Sequence, residues 1–161
     1  MKTEQNLAEV DLITEVPNWL TQVQKPQILL EHCFAHSLRV LDAAPTGLVS
    51  VLLTNDARMQ TLNRHYRQID SPTNVLSFAA AQFPGAPLGD IAFGFETCCA
   101  QAMKRNILLS DHLSHLFVHG ILHLFEYDHD NPKSATQMEQ LETKILLECG
   151  QADPWRNEAL Q

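Results

Sequence analysis

The spacing of apolar and polar positions changes along the chain, and each change marks an element. Alternation through Leu7-Ala8-Glu9-Val10-Asp11-Leu12-Ile13 predicts a first strand, and Pro17 ends it. Residues 18–42 read as helix in two pieces divided by Pro26, with Ile28, Leu29, His32, Cys33, His36 and Val40 near one face. Pro45-Thr46-Gly47 is a turn, and the apolar run 48–53 predicts a buried strand. Thr54, Asn55 or Asp56 can cap a helix reaching Tyr66, on which Met59, Leu62 and Tyr66 recur at helical spacing. Residues 74–78 and 89–95 predict two further strands around a loop at 83–87. From Glu96 onward the pattern is helical, at about 97–106, 110–126 and 134–149, with Gly150 past the last helix. Strands early and helices late describe an α+β fold, and no repeat or long linker divides residues 1–161 into more than one domain.

Composition narrows the function. A chain of 161 residues, 45% hydrophobic and 19% charged, can bury a core of its own. No apolar run approaches the roughly 18 residues of a membrane span, and the first six residues lack the apolar stretch of a secretory signal. The four cysteines include no C-x-x-C pair, so they read as reduced and cytoplasmic, with Cys98-Cys99 as small apolar residues rather than a redox pair. Eleven Lys+Arg against 19 Asp+Glu give a net charge of −8, which argues against nucleic-acid binding by blanket electrostatics. The acidity is uneven, however. Residues 1–42 carry 6 acids and 3 bases, residues 126–161 carry 8 and 3, and residues 43–125 carry 5 of each. The middle of the chain is neutral.

That neutral middle leads into the chemistry. His112, His115, His119, His123 and His129 fall within eighteen residues. Steps of 3, 4 and 4 place the first four within roughly an 80° arc of one helix. His119 and His123, at i and i+4, can present both imidazoles to one ion, and His129 can supply a third ligand if the chain turns back after the helix. Three neutral imidazoles suit Zn²⁺ and leave a coordination position open; Ni²⁺ and other divalent ions suit the same donors. His112 and His115 read as residues that orient the ligands, touch substrate or lie on the surface. A zinc peptidase of the H-E-x-x-H kind needs Glu after its first histidine, whereas this chain has Gly120.

The segment His119-Gly120-Ile121-Leu122-His123-Leu124-Phe125-Glu126-Tyr127-Asp128-His129 resembles the H-G-x-L-H-L-x-G-Y-D-H signature of the YbeY family of bacterial rRNA-maturation endoribonucleases. Leu62-Asn63 with Tyr66-Arg67, Pro72 to Phe78, Leu88-Gly89-Asp90-Ile91, Met138 to Glu142 and Asp153-Pro154 are similar to other blocks of that family, in family order. The resemblance implies a small mixed four-stranded sheet packed with five to six helices. It implies His119, His123 and His129 as zinc ligands and Arg67 as an arginine in the cleft. It also implies a single-strand-specific, metal-dependent endoribonuclease acting in 3′-end maturation of small-subunit (16S) rRNA and in ribosome quality control. The implied partners are rRNA, the small ribosomal subunit and a ribosomal protein or assembly GTPase, in the cytoplasm and away from membranes. One departure stands out. Glu126 occupies the motif's glycine position, and if the backbone there is left-handed Glu costs about 1 kcal/mol or more over Gly.

Arg67 also has a physical rationale. Phosphodiester cleavage passes through a dianionic five-coordinate state, and a planar guanidinium can hold two of its oxygens. The plainer reading of Arg67 is a solvated helix end or an ion pair with Asp70. His115, one turn before His119, reads as a proton carrier near the same cleft. Asp90 can orient a ligand histidine, touch a partner or cap a strand. In another class altogether, the protein is a ribosome-assembly factor whose metal is structural. A zinc-dependent peptidase is disfavoured by Gly120.

Overall fold

A computed structural model describes residues 8–44, 47–81, 83 and 86–155. Leu7 and parts of the turns at 45–46 and 84–85 lie outside the described residues. The elements in order are β1 (Ala8–Thr14), α1 (Asn18–Gln22), α2 (Pro26–Val40), β2 (Gly47–Thr54), α3 (Asp56–Arg67), β3 (Val75–Ala79), β4 (Gly89–Gly94), α4 (Phe95–Arg105), α5 (Leu109–Leu124) and α6 (Pro132–Glu148). The four strands form one sheet in the order β1-β2-β4-β3. β1 pairs parallel to β2 and β2 parallel to β4, while β3 runs antiparallel to β4 at the edge. The fold is thus the small mixed α+β sheet with helices that the chain's patterning and family blocks suggested. No helix of the described residues is long and apolar enough to cross a membrane.

Alternation in β1 places Ala8 and Val10 in the core and leaves Glu9 and Asp11 exposed. The same face continues through Val49, Val51, Leu53, Ile91 and Phe93 and receives α2 and α5. On the opposite face Met59 of α3 closes a smaller cluster with Leu76 and Ala92. Several predicted boundaries shift: α5 ends at Leu124 rather than 126, and α6 starts at Pro132 rather than 134. Phe95 and Glu96 already belong to α4, which leaves β4 without an intervening turn. Gly94 makes this possible, since a Cβ there would sit 2.7 Å from Asp56 Oδ1 and 2.8 Å from the Thr73 carbonyl. Asp56 in turn accepts from Thr97 N and Oγ1, and Asp56 N donates to Glu96 Oε2 at 2.8 Å, so α3 and α4 cap each other.

The buried face of α2 differs from the expected one. Leu30, Cys33, Phe34, Ser37 and Leu38 are buried, whereas Ile28 is 62% exposed and His32 is exposed. Leu30, Phe34 and Leu38, at i, i+4 and i+8, carry more apolar area than the stripe read from Ile28. Ser37 is accommodated by donating to the Cys33 carbonyl at 2.7 Å.

α5 is the central element. It contacts α2, α4, α6 and the sheet, and twelve of its sixteen residues are buried. His112 and His115 are therefore inside the protein, and only the last turns of the helix carry histidines outward, at His119 and His123.

Candidate metal centre

The site begins with how α5 stops. Glu126 N donates to the His123 carbonyl and Tyr127 N to the Leu122 carbonyl, each at 3.0 Å. This is the paired 5→2 and 6→1 arrangement of a Schellman end, and it requires a left-handed residue at the position Glu126 fills. Glu126 has φ 69° and an exposed side chain, so the motif glycine's backbone geometry is kept by a residue that carries a Cβ. The reversal brings His129 back beside the helix. Its ring centroid lies 5.5 Å from that of His119 and 5.3 Å from that of His123.

The donor atoms of His119, His123 and His129 all lie within 4.8 Å of one another. The Nε2 atoms of His119 and His123 are 2.9 Å apart, near the roughly 3.3 Å that two ligands at about 2.0–2.1 Å subtend in a tetrahedral site. Burial and the neighbouring His119 and His129 lower the His123 pKa, favouring the neutral imidazole that binds metal. His119 Nδ1–H donates to Glu142 Oε1 at 2.6 Å, which leaves the His119 Nε2 lone pair facing the cluster. The donor set, its tautomer and the backing carboxylate fit a divalent metal.

Glu142 was not singled out in the sequence. It sits on α6 in the buried set with Met138, Ile145 and Leu146, and an acid in an apolar stripe was the signal available. Its second oxygen accepts from His115 Nε2 at 2.8 Å. Burial pushes this carboxyl's pKa up, but hydrogen bonds and charge from His115 and His119 outweigh it and hold the group at about 2. The carboxylate is charged and fully engaged by two imidazoles.

His115 does not line the cleft. It is 7% exposed, touches Trp155 edge-on and reaches His119 only through Glu142. His112 is further in. Its Nε2 donates to Gln101 Oε1 at 2.9 Å, and that oxygen also accepts from Asn74 Nδ2 at 3.0 Å. Burial, with Arg105 and His115 nearby, lowers the His112 pKa to about 4. Asp90 lies on the opposite face of the sheet beside Arg58 and Tyr66, and among the described residues it orients none of the histidines.

The three histidines open onto a cleft of about 500 Å³ whose other lining residues are Arg67, Thr73, Asn74, Val75, Leu76, Ser77, Ala79 and Leu124. β3 is an edge strand, so one row of its backbone N–H and C=O groups has no partner strand. Arg67, the last residue of α3, is exposed at the rim. Asp70 pairs with Arg64 at 3.7 Å, and among the described residues Arg67 has no ion pair. Gly120 marks where α5 presses on the sheet. A Cβ there would meet Ser77 Oγ at 2.9 Å and Ile91 Cδ1 at 3.0 Å, so a glutamate at this position would have to displace both side chains.

Comparison with known proteins shows the family. The family model described as "Endoribonuclease YbeY" matches residues 15–150. A protein from Paramagnetospirillum magneticum named "Endoribonuclease YbeY" is 42% identical over 157 residues, 91% of this chain and 95% of that one. One of the same name from Rhodospirillum rubrum is 51% identical over 152 residues, 85% and 76% of the two chains. The solution structure of a Thermotoga maritima protein shares the fold, with a TM-score of 0.55 and 22% identity over 90% of this chain and 97% of that one. By sequence, fold and the histidine motif, the chain belongs to the YbeY endoribonuclease family.

Proposed function

We propose that this protein is a metal-dependent endoribonuclease that cleaves single-stranded RNA, acting in 3′-end maturation of small-subunit (16S) rRNA and in ribosome quality control in the cytoplasm. The observation that carries the reading is the convergence of His119, His123 and His129, backed by Glu142, on a cleft with Arg67 at its rim. Zn²⁺ is the ion the three imidazoles favour, with Ni²⁺ as the alternative. When bound, the ion supplies a Lewis acid for a phosphoryl oxygen.

The chain's own residues do the rest. Glu142 fixes the His119 tautomer, and His115 fixes Glu142. His115 is in this reading a positioning residue. Arg67, exposed and unpaired among its described neighbours, can close a bidentate contact on the phosphate as charge builds on its oxygens. The edge of β3 offers backbone groups to an extended strand, which suits a single strand of RNA better than a paired one.

The charge distribution supports weak intrinsic affinity for free RNA and delivery by a partner on the small ribosomal subunit, a ribosomal protein or an assembly GTPase. The test is cleavage of single- and double-stranded RNA by metal-loaded protein, His123→Ala and Arg67→Ala. Single-strand cleavage that falls by about 10²-fold or more in each variant is expected. Equal cleavage by wild type and His123→Ala would remove the catalytic reading and leave an assembly factor with a structural metal.

A further inference from the structure

A second group of metal-type donors lies at the seam between α2 and the end of α6. One ring nitrogen each of His32 and His36 and the Sγ of Cys149 lie within 4.8 Å of one another. We propose that His32, His36 and Cys149 form a second metal site, of the thiolate–imidazole type that takes Zn²⁺ or a similar late transition ion.

The local structure holds the three donors for reasons that can be traced. His32 and His36 stand at i and i+4 on α2, the spacing His119 and His123 use on α5. Their rings meet at 4.5 Å between centroids and 72° between planes. Cys149 is the C-cap of α6, and its position is set by the helix's last hydrogen bonds. Cys149 N donates to the Ile145 carbonyl at 3.0 Å, Gly150 N to Leu147 at 3.1 Å and Gln151 N to Leu146 at 2.8 Å. Gly150, at φ 81°, supplies the left-handed turn without strain. His32 Nε2–H donates to the Cys149 carbonyl at 3.2 Å and so ties the two elements at the site itself.

Donor chemistry selects the occupant. A thiolate with two imidazoles is soft and borderline, which favours zinc-like ions over Mg²⁺ or Ca²⁺, whose ligands are oxygens. Three protein donors leave a fourth position for water. Binding converts the Cys149 thiol to a thiolate and releases its proton to solvent.

The neighbouring Cys33 and burial raise the Cys149 pKa, so an ion has to overcome that as well as a second feature, which can be removed. Arg39 Nη2 donates to His36 Nδ1 at 2.6 Å, which places a cation beside the site. Glu148 lies 3.9 Å from the same guanidinium and can receive it when the ion enters. The two metal sites share no residue. Glu142, which touches His119, stands seven positions before Cys149 on α6, about 10 Å along the helix axis.

Cobalt distinguishes the sites, since only this one contains sulfur. The full-length protein, reduced and stripped of metal, is titrated with Co²⁺ while stoichiometry and thiolate-to-cobalt charge-transfer absorption are read. Two equivalents and a charge-transfer band are expected. Cys149→Ser and His32→Gln should each lose the band and one equivalent, and His32 is exposed, so the second variant should keep the fold. His123→Ala should lose the other equivalent and keep the band. Cys99→Ser should keep both. Arg39→Ala should bind the sulfur-site ion about tenfold more tightly. Absence of the band, or a band that survives Cys149→Ser or His32→Gln, would overturn the proposal whatever becomes of the histidine-only site.

Discussion

Replacing Glu126 with Gly is expected to stabilise the protein, and the reason can be worked out in free energy. At φ 69° the Cβ of an L-residue crowds its own carbonyl, at about 1–2 kcal/mol. A carboxylate just past a helix C-terminus adds roughly 0.3 kcal/mol against the dipole. Glycine relieves both but makes the unfolded chain freer, which returns about 0.4–1 kcal/mol. The balance favours Gly by roughly 0.5–1 kcal/mol, or a Tm rise of about 1–4 °C for a domain of this size. Differential scanning calorimetry on the metal-free protein measures it. Glu126→Ala keeps the Cβ and removes only the charge, so it should gain less than about 1 °C. Gly150 offers an internal reference. It is also left-handed, and a Cβ there would touch nothing within 4 Å, so Gly150→Ala should lose about 1 kcal/mol to backbone strain alone. If Glu126→Gly lowers Tm, or Glu126→Ala matches it, the strain is not in the backbone and the reasoning fails.

Other outcomes follow from the same geometry. Glu142→Gln should weaken metal binding about 10–100-fold with the fold intact, measured by competition with a chromophoric chelator; affinity within twofold of wild type would show that the carboxylate does not support His119. His112 stays neutral in the folded protein down to about pH 4, whereas in the unfolded chain it takes a proton near 6.5. The unfolded state therefore holds more protons between those values, and stability falls as pH drops through that window, by on the order of 2 kcal/mol after solvent screening. His112→Gln should flatten that part of a urea-denaturation pH profile, and an unchanged slope would refute the assignment. Gly120→Ala should lower Tm by about 2–4 °C, because the clash with Ser77 and Ile91 exceeds the helix propensity gained; a higher Tm would mean α5 can move off the sheet.

The clustering of His119, His123 and His129 was legible because metal binding demands a residue type at a helical spacing, and both are visible in sequence. The strands were legible for a similar reason, since alternation such as Ala8-Glu9-Val10-Asp11 records burial directly. What the 112–123 stripe does not record is how much of the helix is enclosed. Four histidines on one arc look equivalent, yet packing by α2, α4 and α6 encloses His112 and His115 and frees only the last two turns. Glu142 was hidden by distance, 23 residues from the histidine it supports. The face of α2 was misread in part: Leu29, Cys33 and Val40 do pack on the core, but Ile28 fits the same helical period and is exposed, while Leu30, Phe34 and Leu38 are buried. Only the sheet decides between those stripes, with Phe34 lying 3.1 Å from where a Gly47 Cβ would be.

The three clustered histidines do not share one kind of support. His119 and His123 ride on α5 and keep their spacing whatever the solvent does, while His129 arrives on the exposed turn after it. Chelators of this build have two timescales. The helical pair is expected to set which ions are captured, and the loop arm that carries His129 is expected to set how long a captured ion stays. The Schellman turn at Glu126 is the hinge of that arm, so its backbone strain acts on residence time, and ion exchange should track opening of residues 125–131 rather than unfolding of the core.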